Sequence, residues 1–99
     1  MNIEDFKKLV RNYTEENILI DEPHVFTRCQ ERMISLSLVI QLLLDPHANL
    51  IRITSKEKLV YKLYYRLSRK RELKVIIDLF TYQRIMIRTV HVKSFKRRF

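Results

Sequence analysis

Three basic residues stand at four-residue intervals in this chain: His24, Arg28 and Arg32. On a helix, residues four apart lie on one face, so a helix here would present one imidazole and two guanidinium groups together. Metal-free cleavage of RNA needs a base for the 2′-hydroxyl proton, an acid for the leaving oxygen and cations around the phosphorane. Histidine titrates near neutral pH and arginine offers a planar fork to phosphate, so the triplet supplies these groups. The alternative is a solvated helix face on which Glu31 pairs with a neighbouring cation.

A second group of candidates lies in the C-terminal half, where cations are interleaved with aromatic residues. That combination suits stacking of unpaired bases over a groove that follows a nucleic-acid backbone. Tyr61 and Tyr65 alternate with leucines and are predicted core residues, whereas Tyr64 falls on the basic face. The candidate nucleic-acid-binding residues are Lys58, Lys62, Tyr64, Arg66, Arg69, Lys70, Arg71, Lys96, Arg97 and Arg98. For the two clusters of consecutive cations, the alternative is that they only confer solubility.

The charge of the chain is segregated between its halves. Residues 1–50 hold five Lys/Arg and eight Asp/Glu, a net charge of −3, and residues 51–99 hold fifteen and three, a net charge of +12. A basic half predicts a polyanionic partner: nucleic acid first, an acidic protein second and a membrane surface third. The alternative is a lysine-rich solvated face.

Several classes of function are disfavoured by composition. The 99 residues fit one domain, and they contain no glycine, which phosphate-binding loops and dinucleotide fingerprints require. The three histidines and the single Cys29 show no paired ligand spacing, so we expect neither a metal site nor a cofactor. The longest apolar run, residues 36–44, is too short to span a bilayer, and the N-terminal MNIEDFKK lacks an apolar signal segment. We therefore expect a cytoplasmic protein with no membrane partner.

Apolar periodicity predicts helices over residues 2–16, 24–33 and 36–44. Asn2 and Ser35 are suitable N-caps, and Pro23 suits the first turn of the second helix. Asp45-Pro46 would end the third helix, because the residue before proline is driven out of the α region. The third helix is apolar nearly all round, which predicts the most buried helix or one that faces a partner chain.

After residue 48 the apolar period changes to two, which predicts strands over residues 48–54, 58–67, 73–80 and 84–92. Short polar turns favour antiparallel pairing, so the expected fold is α+β, with N-terminal helices packed on a roughly four-stranded antiparallel sheet. On a regular last strand, Arg88 and His91 would point to opposite faces, with His91 towards the core.

The order of these parts resembles a known family. His24, Arg28 and Arg32 followed by Ile34-Ser35, an apolar helix and Asp45-Pro46 match the pattern H-x3-R-x3-R-x-I-S, helix, D-P. This pattern is similar to that of small uncharacterised domains related to BrnT and other RelE-like ribonuclease toxins, which usually have glycine where this chain has Met33. KLYYRL, ELKVIIDLF and IMIRTVHV resemble the strands of that family.

The resemblance covers about residues 18–93 of one domain spanning residues 1–99, with an N-terminal helix over 1–17 and a basic tail over 94–99. It implies a RelE-like fold and, for the toxin members, RNA cleavage. On this hypothesis, His24 is the acid/base group and Arg28, Arg32 and Arg88 hold phosphate. One alternative is a non-catalytic nucleic-acid-binding module. Another is an interaction protein: a homodimer or an adaptor that docks through residues 36–44, or the partner of an acidic, antitoxin-like protein.

Overall fold

The computed structural model describes residues 1–81 and 83–94 and has an α+β fold. Its elements are α1 (Ile3–Val10), a short 3-10 helix (Glu15–Asn17), β1 (Ile18–Ile20), α2 (His24–Glu31), α3 (Leu36–Leu44), β2 (Leu50–Glu57), β3 (Val60–Ser68), β4 (Arg71–Thr81) and β5 (Arg84–Ser94). The described sheet has five strands in the order β1-β5-β4-β3-β2. The α+β class is confirmed, but the sheet has one strand more than predicted and is mixed, because β1 pairs parallel to β5.

The first helix is shorter than predicted because two polar side chains bind the backbone that follows it. The Asn2 side chain caps α1 by accepting a hydrogen bond from the Asp5 backbone N–H at 2.8 Å. Beyond Val10, the Thr14 N–H donates to Asn17 Oδ1 at 2.7 Å, and the Thr14 hydroxyl accepts from the Glu16 N–H. Such local bonds compete with helical ones and favour a new cap, so a separate 3-10 turn forms instead of a continued helix.

The boundaries of α3 agree with the sequence. Ser35 Oγ accepts a hydrogen bond from the Leu38 N–H at 3.2 Å, and the helix ends at Leu44, immediately before Asp45-Pro46. The helix is only partly buried, because Val39 and Leu43 are buried whereas Leu38 is 39% exposed. The alternative that it faces a partner chain stays a prediction.

All three helices contribute to the hydrophobic core on one face of the sheet, which we call the inner face. Their buried residues, Phe6, Val10, Val25, Cys29, Val39 and Leu43, pack with Leu63, Tyr65, Leu73, Val75, Ile77, Ile85 and Ile87 of the strands. The predicted alternation in β3 and β4 is therefore confirmed, with Tyr65 in the core. The opposite surface of the sheet, which carries Tyr64 and Lys74, is the outer face.

A bulge in β5 changes the expected orientation of its polar residues. Ile76 of β4 pairs with Thr89, whereas the next residue, Ile77, pairs with Ile87, so Arg88 is the extra residue of β5. Since a bulge shifts the alternation by one residue, Arg88 and His91 both lie on the outer face. The expectation that His91 faces the core was wrong, because it assumed a regular strand.

Within residues 1–81 and 83–94, two turns hold non-glycine residues in the left-handed region. Met33, between α2 and α3, has φ 53°, and Leu59, between β2 and β3, has φ 63°. Both are exposed, Met33 by 90%, so neither is held there by burial of its side chain. A side chain bearing Cβ costs about 1–2 kcal/mol in this region, which makes each a strained position in a glycine-free chain.

Candidate nucleic-acid interface

One residue from each of four neighbouring strands forms a row across the outer face. Arg52 of β2 pairs in register with Tyr64 of β3, Tyr64 with Lys74 of β4, and Lys74 with His91 of β5. Directly paired residues of neighbouring strands place their side chains side by side on one face. We call these four residues the basic row. Because neighbouring strands lie about 4.8 Å apart, the row extends for about 14 Å.

The β2 end of the row combines a cation with an aromatic ring. Arg52 Cζ lies 4.0 Å from the centroid of the Tyr64 ring, and an Arg52 guanidinium nitrogen lies 3.9 Å from Glu72. Together with Lys74, His91 and Lys93, these residues line a hollow of about 470 Å³, the central hollow. A half-buried tyrosine held in place by a stacked arginine provides a surface on which an unpaired base can stack.

At the β5 end, helix α2 extends the row with two arginines. Arg28 of α2 and Arg32, the residue that follows the helix, line a hollow of about 220 Å³ together with Lys74 and His91, which we call the α2 hollow. Val25 and Cys29 of the same helix are buried in the core of the inner face, and the two arginines reach the outer face beside β5. Four-residue spacing places Arg28 and Arg32 one turn apart.

The electrostatics of the α2 hollow are strongly positive. Burial, followed by the charges of Arg32 and Lys74, lowers the pKa of His91 from its ordinary value. Arg28 lies 3.3 Å from Glu31, whereas Arg32 and Lys74 have no carboxylate within 4 Å in the described part of the chain. The Nε of Arg32 is also buried without a hydrogen-bond partner among the described residues. The hollow is therefore suited to an anion.

The catalytic candidates predicted from the sequence divide between two hollows. Arg28 and Arg32 lie in the α2 hollow, whereas His24 and Arg88 line a neighbouring hollow of about 270 Å³ together with Asp21. Arg88 lies 3.2 Å from Asp78 and 4.0 Å from Asp21, so its charge is largely compensated. The four residues thus lie along one side of the outer face without converging on one point.

The predicted nucleic-acid-binding residues are also spread over the outer face and its ends. Lys62 and Tyr64 are half-buried on β3, and Arg66 donates to the backbone oxygen of Arg69 at 3.4 Å. Exposed turns or strand ends hold Lys58, Arg69, Lys70 and Arg71, whereas Lys96, Arg97 and Arg98 lie outside the described residues.

The sequence-based prediction missed four residues of this surface: Arg52, Lys74, His91 and Lys93. The outward position of Lys74 follows from strand alternation, so it could have been found by aligning the predicted strands in antiparallel register. The orientation of His91 could not have been predicted in this way, because the bulge at Arg88 leaves no signal in the apolar pattern.

Other site chemistries receive no support from the described residues. Among them, no group of three or more His, Cys, Asp or Glu is placed to hold a metal ion. Cys29 is buried in the core, and burial raises the pKa of its thiol, which disfavours the nucleophilic thiolate. Within the described ranges, no helix combines the length and apolar character needed to cross a membrane.

Comparison of the chain with protein-family models, with curated proteins and with solved structures gives no significant match. The similarity to RelE-like toxins therefore rests on the sequence pattern alone, and the site must be interpreted from its own geometry.

Proposed function

We propose that this protein binds single-stranded RNA on the outer face of its sheet, in the cytoplasm. The observation that carries the proposal is the basic row, in which a stacking tyrosine and three cationic or titratable side chains are in register across four strands. Cations contact the phosphates with little regard to sequence, and an aromatic ring accepts any unpaired base. The resemblance to RNA-cleaving toxins supports RNA over DNA as the ligand.

The binding test compares Tyr64→Leu with wild type by the fluorescence anisotropy of a labelled single-stranded RNA. Because a base–aromatic stack contributes about 1–3 kcal/mol, the variant should bind about 5- to 150-fold more weakly. Phe26→Leu is the matched control, because it removes a 43% exposed ring from a side of α2 away from the arginines. Equal affinities of the Tyr64 variant and wild type would refute the proposed role of the row. Single-stranded DNA and duplex RNA of the same sequence test the choice of ligand.

Metal-independent RNA cleavage is a second candidate function, favoured by the position of His91. This imidazole lies beside Arg32 and Lys74, and its lowered pKa leaves it mainly neutral at pH 7, the form that accepts a proton. The two neighbouring cations would stabilise charge that develops on a phosphorane. On this proposal, His91 rather than His24 takes the proton of the 2′-hydroxyl as the 2′-oxygen bonds to phosphorus. The bond from phosphorus to the 5′-oxygen breaks, and the Lys74 ammonium group donates a proton to that leaving oxygen.

The cleavage test incubates RNA with the protein in EDTA and separates the products on a gel. His91→Gln should abolish cleavage while binding persists, and His24→Gln should leave cleavage intact. DNA of the same sequence should stay uncleaved, since it lacks the attacking hydroxyl. Loss of cleavage only in the His24 variant would restore the assignment made from the sequence. Absence of cleavage by wild type would leave RNA binding as the function.

A further inference from the structure

The α2 hollow lies at one end of the basic row. A strand that follows the row from Arg52 towards His91 passes Tyr64 and Lys74 and then meets Arg28 and Arg32. At this point α2 packs against β5, and the two arginine side chains line the hollow. The row therefore ends at a concentration of positive charge, which suits the extra negative charge at the end of a nucleic acid.

The charges in the hollow exceed what one internal phosphate requires. An internal phosphodiester carries one negative charge, whereas a terminal phosphate carries about 1.5 to 2 and presents three acceptor oxygens. The hollow brings together Arg28, Arg32, Lys74 and the imidazole of His91, and only Arg28 has a carboxylate partner within the described part of the chain. The buried Nε of Arg32, which has no partner there, adds a donor that a further oxygen could satisfy.

We propose that the α2 hollow binds the terminal phosphate of a single-stranded nucleic acid, so that the basic row holds the nucleotides next to that end. This inference rests on the proposed binding function and assigns the α2 hollow to the end of the strand. It does not build on the cleavage candidate, which would place an internal phosphodiester in the same hollow. Tyr64 lies one strand further from α2 than Lys74, so it would stack on a base inside the strand and not on the terminal one.

The experiment measures competition against one internally labelled RNA. The competitors are three unlabelled RNAs of eight nucleotides with the same sequence, bearing a 5′-phosphate, a 3′-phosphate or no terminal phosphate. We expect one of the two phosphorylated RNAs to compete at least about tenfold better than the unphosphorylated one, as charge-assisted hydrogen bonds to the extra charge require. The end that confers the advantage gives the polarity of the strand on the row.

Two variants and a matched control test whether the advantage of the phosphorylated RNA arises in the α2 hollow. Arg32→Gln and Lys74→Gln should each reduce the advantage of the phosphorylated RNA to less than about threefold, since each removes one partner of the phosphate. Arg11→Gln removes an exposed charge just after α1 and should retain the full advantage. Circular dichroism confirms that each variant is folded, and the use of two separate variants covers the failure of either one to fold.

The remaining outcomes separate this inference from the function on which it rests. Equal competition by all three RNAs would overturn the end-specific site while leaving single-stranded RNA binding in place. Absence of binding by any RNA would overturn both. Inorganic phosphate and adenosine monophosphate form further arms. If either competes as well as the phosphorylated RNA, the hollow binds a small phosphate ligand and the assignment to a nucleic-acid end is wrong.

Discussion

Replacement of Lys74 by glutamine tests the basic row through the salt dependence of RNA binding. On the proposed function, the central and α2 hollows together place Arg28, Arg32, Arg52, Lys74 and Lys93 at the RNA, in addition to the titratable His91. Each phosphate charge neutralised on a single strand contributes about −0.7 to the slope of log K against log salt. About two charges of a terminal phosphate in the α2 hollow, with one phosphate each at Arg52 and Lys93, give a slope of about −2.8. Raising the salt from about 50 to 200 mM should then weaken wild-type binding about 50-fold.

With Lys74→Gln the slope should fall to about −2.1, and the same change of salt should weaken binding about 18-fold. The variant should therefore lose more affinity at low salt than at high salt. Anisotropy titrations at four or more salt concentrations give both slopes, and Arg11→Gln controls for the loss of one net charge. A slope for the Lys74 variant equal to that of wild type would refute the contact, and so would an equal decrease in the Arg11 control. A wild-type slope near zero would refute an electrostatic interface altogether.

Three further predictions concern strain, pH and compensated charge. Met33→Gly should raise the free energy of unfolding by up to about 1 kcal/mol, because glycine adopts φ 53° without strain. Urea titration measures this change. Met33→Ala should leave the free energy of unfolding nearly unchanged, and a gain equal to that of the glycine variant would contradict the strain argument. Burial lowers the pKa of His91 from its ordinary value in the folded state, so stability should decline as pH falls through that ordinary value, and His91→Gln should flatten the decline. If the stability of wild type and of the His91 variant falls in parallel with pH, His91 is not the group responsible for the decline. Arg88→Gln should leave RNA affinity within about twofold of wild type. It should lower the free energy of unfolding by only about 0.5 kcal/mol, since the ion pairs of Arg88 with Asp21 and Asp78 are half-exposed. A large loss of affinity would mean that Arg88 contacts RNA.

Local signals account for the parts of the fold that the sequence predicted correctly. The boundaries of α3 follow from Ser35 and Asp45-Pro46, which act on the backbone of their immediate neighbours. The opposite environments of Tyr64 and Tyr65 follow from strand alternation, which is equally local. The α+β class follows from the order of the two periodicities along the chain.

The features that escaped prediction depend on contacts between distant segments. The three residues of β1 form a strand only because Ile85–Ile87 of β5 pair with them, and a run of three apolar residues carries little periodicity. The bulge at Arg88 depends on pairing with β4, and it decides which face His91 occupies. The candidate site was therefore only half predicted: the arginines of α2 were identified, whereas the strand residues that complete their hollow were not.

The distribution of charge on the outer face argues against a surface that serves only solubility. Such a surface intersperses both signs, as the pairs Arg28–Glu31 and Arg52–Glu72 do. At the α2 end, Arg32 and Lys74 lack such partners within the described residues. Burial first, and then the charges of these neighbours, lower the pKa of His91, so the folded protein disfavours a further positive charge at this point. An anion in the hollow would supply the partner that the two cations lack. Cations without partners beside a desolvated imidazole are typical of an anion-binding site, and here they lie where the row of stacking and cationic side chains ends.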